Sequence, residues 1–84
     1  MKSELSIVHI SVIGAGIMGS GIAKVCLAGG FQVRLFDPNP EALRHAESRI
    51  TKNGQAKEDL LRLDVTGDLK VALENTDMLI EAAP

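Results

Sequence analysis

Four residues stand at spacings suited to holding a phosphorylated ligand. Gly14, Gly16 and Gly19 fall as G-x-G-x-x-G, and Asp37 lies 18 residues after the last of them. Each glycine answers a different need. The one at 14 lets the chain turn sharply as it leaves a strand. The missing Cβ at 16 leaves room for a pyrophosphate against the backbone, and the missing Cβ at 19 lets a helix lie close to the strand. A helix starting near Ile17 aims unpaired N–H groups and the positive end of its dipole at the phosphates. Side-chain charge is not required there, and the sequence carries none between Glu4 and Lys24. A carboxylate about 20 residues beyond the glycines is placed to accept the hydroxyls of an adenosine ribose. A phosphate cradle followed by a ribose acid is the chemistry of dinucleotide binding.

A glycine turn alone is weak evidence, so the elements around it decide. Upstream, the apolar run Ile7 to Ile13 is long enough for a strand buried on both faces. Downstream, Ile22, Ala23, Cys26 and Leu27 recur at helical spacing until Gly29-Gly30 ends the helix. Gln32 to Phe36 predicts a second strand, with Asp37 at its end. Pro38-Asn39-Pro40 is a turn, with Pro40 opening a helix to Lys52 that buries Leu43, Ala46 and Ile50. Arg44, His45, Glu47 and Arg49 then point outward, and Asn53-Gly54 closes the element. Ala56 to Leu63 predicts one or two helical turns, Asp64 to Thr66 a very short strand, and Leu69 to Glu74 a helix capped by Asp68. Met78 to Ala83 predicts a last strand. Alternating strands and helices imply an α/β fold, a Rossmann-type doubly wound parallel sheet with strand order 3-2-1-4. Residues 1–84 are expected to form one dinucleotide-binding domain comprising the first half of such a sheet, without its second half or a substrate domain.

Composition narrows the function classes. Eighty-four residues suffice for one small domain near the lower limit of independent stability. Hydrophobic residues make up 45% of the chain, but Phe31 and Phe36 are the only aromatics, so the core must be built from aliphatic packing. A net charge of -2 without a dense basic patch argues against nucleic acid and anionic membrane as partners. Leu5 to Ala23 lacks Asp, Glu, Lys and Arg and so mimics a membrane span or signal peptide. Its four glycines, with Ser6, His9, Ser11 and Ser20, make a poor lipid-facing helix. Cys26 is the only cysteine, which excludes an internal disulfide. In an apolar helix it reads as a structural thiol, consistent with a reducing, cytoplasmic setting. His9 falls in the first half of the first strand, away from the end where such sheets bind ligands, and reads as structural or solvated. His45 reads as a surface residue.

The segment Gly14-Ala15-Gly16-Ile17-Met18-Gly19-Ser20-Gly21-Ile22-Ala23 resembles the cofactor loop of the 3-hydroxyacyl-CoA dehydrogenases, G-A-G-x-M-G-x-G-I-A. The resemblance continues at Gly30 to Asp37, similar to G-(F/Y)-x-V-x-L-x-D. It returns at Thr66-Gly67-Asp68-Leu69 and at Asp77 to Pro84, similar to A-D-L-V-I-E-A-V-P. It implies NAD-linked oxidation of a 3-hydroxyacyl thioester, part of fatty acid metabolism. Hydride would pass to the nicotinamide while a histidine takes the hydroxyl proton. By the same resemblance, Gly14, Gly16, Ile17, Met18 and Gly19 contact the pyrophosphate and its surroundings, and Asp37 takes the ribose hydroxyls. Ala82 and Ala83 line the cofactor cleft, and Glu81 receives no role. Met18 fits equally as a contact or as a hydrophobic plug between helix and sheet.

Two departures limit the transfer. Between Ile50 and Asp64 the family usually has a long helical excursion, and here only a short connector stands. The family's catalytic Ser, His, Glu and Asn fall in segments beyond Pro84, and neither His9 nor His45 matches the motif of the catalytic histidine. These 84 residues alone are therefore expected to be inactive, with no catalytic residue among them. Two rival readings remain, a non-catalytic dinucleotide-binding module and a self-assembling fragment that pairs with another copy as a homo-oligomer. A flavin site shares the glycine turn and terminal acid, but the extended loop match argues against it.

Overall fold

The first apolar run forms β1 (His9–Ile13), a central strand buried on both faces at Ile10, Ser11 and Val12. The computed structural model describes residues 7–52 and 56–82. After β1 come α1 (Ile17–Ala28), β2 (Gln32–Phe36), α2 (Pro40–Lys52), α3 (Lys57–Leu60), β3 (Leu63–Thr66), α4 (Leu69–Leu73) and β4 (Met78–Glu81). The strands pair in parallel in the order β3-β2-β1-β4, as expected from the sequence. Boundaries shift slightly. β1 starts at His9 rather than Ile7, β3 starts at Leu63 rather than Asp64, and β4 ends at Glu81. Ala83, expected to end that strand, lies outside the described residues.

Alternation along the strands divides the sheet into two unlike faces. On one, Ile10 and Val12 meet Val33 and Leu35 and pack against Ala23 and Leu27 of α1 and Ala46 and Ile50 of α2. Leu63, Val65, Ile80 and Ala82 extend this aliphatic core to the edges. On the other face, register places Ser11, Arg34 and Asp64 side by side across three strands.

That polar row holds α4, whose five residues are too few to bury a full apolar stripe. Ala72 is fully buried, while Leu69, Val71 and Leu73 are 40–48% exposed. Its docking is polar instead. Ser11 Oγ donates to the Ala72 carbonyl at 2.6 Å, and Arg34 Nη1 donates to the carbonyls of Val71 and Glu74 at 2.6 and 2.8 Å. Thr76 Oγ1 adds a bond to Ala72 O at 3.1 Å. At the other end Asp68 caps as expected, its Oδ1 accepting from Lys70 N at 2.9 Å.

The short connector does comparable work for α1, whose last turn has no basic residue. Arg62 reaches across from the loop before β3. Its Nη2 donates to the Leu27 carbonyl at 2.7 Å and to Asp59 Oδ1 at 2.6 Å. A cation is thereby set at the negative end of the α1 dipole.

Asp77 joins the starts of β4 and β1. Its Oδ2 accepts from Val8 N at 2.9 Å and His9 N at 2.8 Å, and its own N–H donates to His9 O. The two backbone donors hold the Asp77 carboxyl below the usual carboxylate range, first through His9 N–H and then through Val8 N–H. A lowered folded-state pKa contributes stability that is present above the unfolded value and lost as pH falls through the folded one. Asp77→Asn should therefore lower the melting temperature by a few degrees at neutral pH. The gap between wild type and variant should close on acidification below the ordinary carboxylate range. Thermal melts of both proteins across pH 2 to 7 check this, and a gap that stays constant throughout would disprove it.

Candidate cofactor site

The turn between β1 and α1 is built by backbone geometry. Gly14 takes φ +110°, a conformation that L side chains rarely adopt, and its N–H donates to Phe36 O at 2.7 Å. The chain then reaches Gly16, which caps α1 in an extended conformation with no side-chain hydrogen bond at the cap. A Cβ on Gly16 would meet nothing within 4 Å, whereas one on Gly19 would sit 1.8 Å from Gly14 O. The close approach explains glycine at 19, as its spacing predicts, while nothing in the fold itself crowds position 16. Gly16 leaves space open in front of the helix, and Gly19 lets the helix rest on the carbonyl of the turn.

The first turn of α1 contains no acidic residue. Its amide groups and dipole consequently present an uncompensated positive end. Ile17 and Met18 flank that end at 80% and 68% exposure. Met18 is therefore no plug between helix and sheet. Its side chain is exposed at the start of α1.

Asp37 is drawn to the same place. It is half-buried, with Oδ2 accepting from Ala15 N at 3.0 Å and Oδ1 from Asn39 N at 2.9 Å. The carboxylate ending β2 and the glycine turn ending β1 thus form one locus. Ala82 closes the far side. Its N–H donates to Ile13 O at 2.8 Å, and its Cβ lies 3.7 Å from where a Cβ on Gly19 would be. Ala83 lies outside the described residues. Gly14, Gly16, Ile17, Met18, Gly19, Asp37 and Ala82 are therefore brought together at the C-terminal ends of β1, β2 and β4.

The histidines are elsewhere. His9 starts β1, its exposed ring 3.6 Å from Asp77, and His45 is exposed on α2. A groove of about 130 Å³ opens near His9, bordered by Gln32, Arg34, Arg62, Asp64 and Thr76. Both arginines there are engaged with backbone carbonyls, so its lining serves the fold. No group of three His, Cys, Asp or Glu able to hold a metal stands together among the described residues.

One expectation is corrected. Arg49, read as pointing outward from α2, is half-buried, and its Nη1 donates to Ser20 Oγ at 3.0 Å. Ser20, buried behind the turn, in turn donates to Gly16 O at 2.6 Å. Helical periodicity placed Arg49 beside the polar face. Its long stem reaches a buried hydroxyl that no spacing rule identifies.

A sequence model of the family described as 3-hydroxyacyl-CoA dehydrogenase, NAD binding domain, matches residues 9–84. The chain belongs to this family. Among its relatives, the 3-hydroxyadipyl-CoA dehydrogenase of Escherichia coli (strain K12) is 37% identical over 91 residues, covering 94% of this chain and 19% of the relative. The mitochondrial hydroxyacyl-coenzyme A dehydrogenase of Rattus norvegicus is 30% identical over 96 residues, covering 94% and 31%. The crystal structure of (S)-3-hydroxybutyryl-CoA dehydrogenase from Ralstonia eutropha superposes with a TM-score of 0.81 at 28% identity, covering 94% of this chain and 32% of that one. The chain thus spans about a third or less of the length of these relatives. Its family is that of an NAD-binding domain, and NAD is its cofactor.

The turn geometry separates two substitutions. Gly16→Val should fold normally and lower NAD affinity at least tenfold, because its side chain enters empty space in front of the helix. Gly19→Val should destabilise the domain by about 3 kcal/mol or more, because its Cβ overlaps a backbone carbonyl. Thermal melts and NAD titration of both variants check this. Equal melting temperatures would overturn the division of roles.

Proposed function

We propose that this chain is the NAD-binding portion of an oxidoreductase that moves hydride between NAD and a 3-hydroxyacyl-CoA, the substrate of the longer protein. One observation carries this proposal. An uncapped helix start faces a space where Gly16 has no neighbour, and the carboxylate of Asp37 is tied to the same turn. The residues present fit the cofactor. Gly14, Gly16, Ile17, Met18 and Gly19 would hold the pyrophosphate, Asp37 would accept the ribose hydroxyls, and Ala82 would line the cleft beyond β4. NAD, when bound, supplies the hydride acceptor. The chain's own residues bind and orient. The amides of the first turn of α1 would fix the phosphates, and Asp37, held by Ala15 N and Asn39 N, would orient the ribose.

No described histidine stands at the C-terminal ends of the strands, so the group that takes the hydroxyl proton is assigned to other parts of a longer protein. A 3-hydroxyacyl-CoA substrate supports a role in fatty acid metabolism. The only cysteine, Cys26, is half-buried and free, and burial pushes its thiol pKa up, which supports a structural thiol; we propose a reducing, cytoplasmic setting for the chain. No helix among the described residues is long and apolar enough to cross a membrane.

Cofactor choice tests the assignment. Asp37 accepts two hydroxyls but repels a 2′-phosphate, and neither Arg nor Lys follows it before Arg44. At an effective dielectric of about 20 and a separation of about 4 Å the repulsion is about 4 kcal/mol, reduced by solvent around a half-exposed carboxylate. Calorimetric titration should show NAD bound at least tenfold more tightly than NADP. Equal affinities would refute the ribose role of Asp37.

A second reading rests on β4. The strand stands at a sheet edge with Met78 40% and Leu79 51% exposed. A free edge with apolar side chains is a template for another strand. In these 84 residues we propose that it pairs with β4 of a second copy, giving a homo-oligomer. Sedimentation velocity across a hundredfold concentration range should show a dimer or larger species, and a monomer throughout would exclude it.

A further inference from the structure

We infer that Arg49 is a positioning residue for phosphate binding, acting through Ser20 on the peptide between Gly16 and Ile17. The inference rests on the NAD assignment above and extends it to a helix that forms no part of the turn. The carbonyl of Gly16 receives two donors from one residue, Ser20 N at 2.9 Å and Ser20 Oγ at 2.6 Å. Both bonds pull that oxygen down the axis of α1. In a planar trans peptide the C=O and the N–H point in opposite directions. Fixing Gly16 O along the helix therefore aims the Ile17 N–H out of its start, toward the space that Gly16 leaves open.

Ser20 is 1% exposed, so its hydroxyl works in a low-dielectric setting. The same oxygen that donates to Gly16 accepts from Arg49 Nη1 at 3.0 Å. A cationic donor on a hydroxyl makes its O–H a stronger donor, and the polarisation passes along the chain of bonds. The sequence guanidinium, hydroxyl, carbonyl, peptide N–H thus ends on the amide that faces the phosphates. Arg49 also brings a positive charge behind a site for a dianionic group. An arginine whose only task was to pack α2 on α1 would not need a hydroxyl whose proton is committed to the turn.

The test separates phosphate affinity from folding. NAD, ADP and adenosine are titrated calorimetrically into wild type, Arg49→Leu, Ser20→Ala, the double variant and Arg44→Leu. Arg44 is exposed on the same helix and paired with Glu41, so its variant removes equal charge away from the turn. Arg49→Leu and Ser20→Ala should each weaken NAD and ADP by about three- to tenfold and adenosine by less than about twofold. The double variant should be no worse than the weaker single, because both interrupt one path. Arg44→Leu should bind as wild type does. In the ligand-free proteins, the Ile17 amide proton should move upfield in both Arg49→Leu and Ser20→Ala. Arg49→Gln, which keeps a polar stem but loses the charge, covers the case in which Arg49→Leu does not fold, and should show most of the loss.

Adenosine weakened as much as ADP would reduce the link to packing. Additive losses, or equal losses in Arg44→Leu, would reduce it to long-range charge. An unmoved Ile17 amide would overturn it even if the losses appeared. Should wild type bind neither NAD nor ADP, the cofactor assignment itself fails, and the Ile17 shift still decides whether Arg49 reaches the turn.

Discussion

The approach of α1 to the turn that precedes it is the constraint on which the site depends. Gly19 sits so close to Gly14 O that a single added carbon would lie 1.8 Å from it. Any side chain at 19 would push α1 away from the turn, so the close approach of the helix, and with it the place of its positive end, requires glycine there. The polar partners of the turn, Asp37 on one side and Ser20 with Arg49 on the other, then hold a geometry that sterics have already narrowed.

Away from the turn, a small aliphatic core leaves much of the assembly to charged and hydroxyl side chains. Three arginines and an aspartate each bridge elements far apart in sequence. Arg34 fastens α4 to β2, Arg62 fastens the connector to α1, Arg49 fastens α2 to α1, and Asp77 fastens β4 to β1. Two of the arginines serve carbonyls in the last turn of a helix, each of which also accepts a backbone N–H. Polar bonds of this kind are directional, so they set where an element lies as well as that it stays.

The limits of α1 and α2 and the glycine turn were legible from local spacing, and strand order from the alternation of strands and helices, whereas the helical stretch expected over Ala56 to Leu63 shrinks to Lys57–Leu60 and gives up Leu63 to β3. Period-2 and period-3.6 patterns, Gly14 at a left-handed position and Asp68 at a helix start each act within a few residues. Asp37 was legible at longer range because the unit between Gly19 and the end of β2 has a nearly fixed length. Side-chain destinations were not. Arg34, Arg62 and Arg49 find partners 37, 35 and 29 residues away, and helical or strand phase gives only the face from which such a stem departs. Met18 was open between two readings because spacing cannot tell a side chain lying over a helix start from one tucked beneath it. Its exposure settles only that it is not beneath.

The docking of α4 has a consequence for how this domain can change through descent. The helix is gripped by its carbonyls, through Ser11, Arg34 and Thr76, and a carbonyl is the same whichever residue carries it. Of its own side chains, Ala72 is fully buried against the sheet. Leu69, Val71 and Leu73 can drift, acquire charge or be recruited as a contact surface while the helix keeps its seat. The instructions for that seat are written in β1, β2 and the loop before β4, so a lineage can rewrite this flank without renegotiating the cofactor end of the sheet.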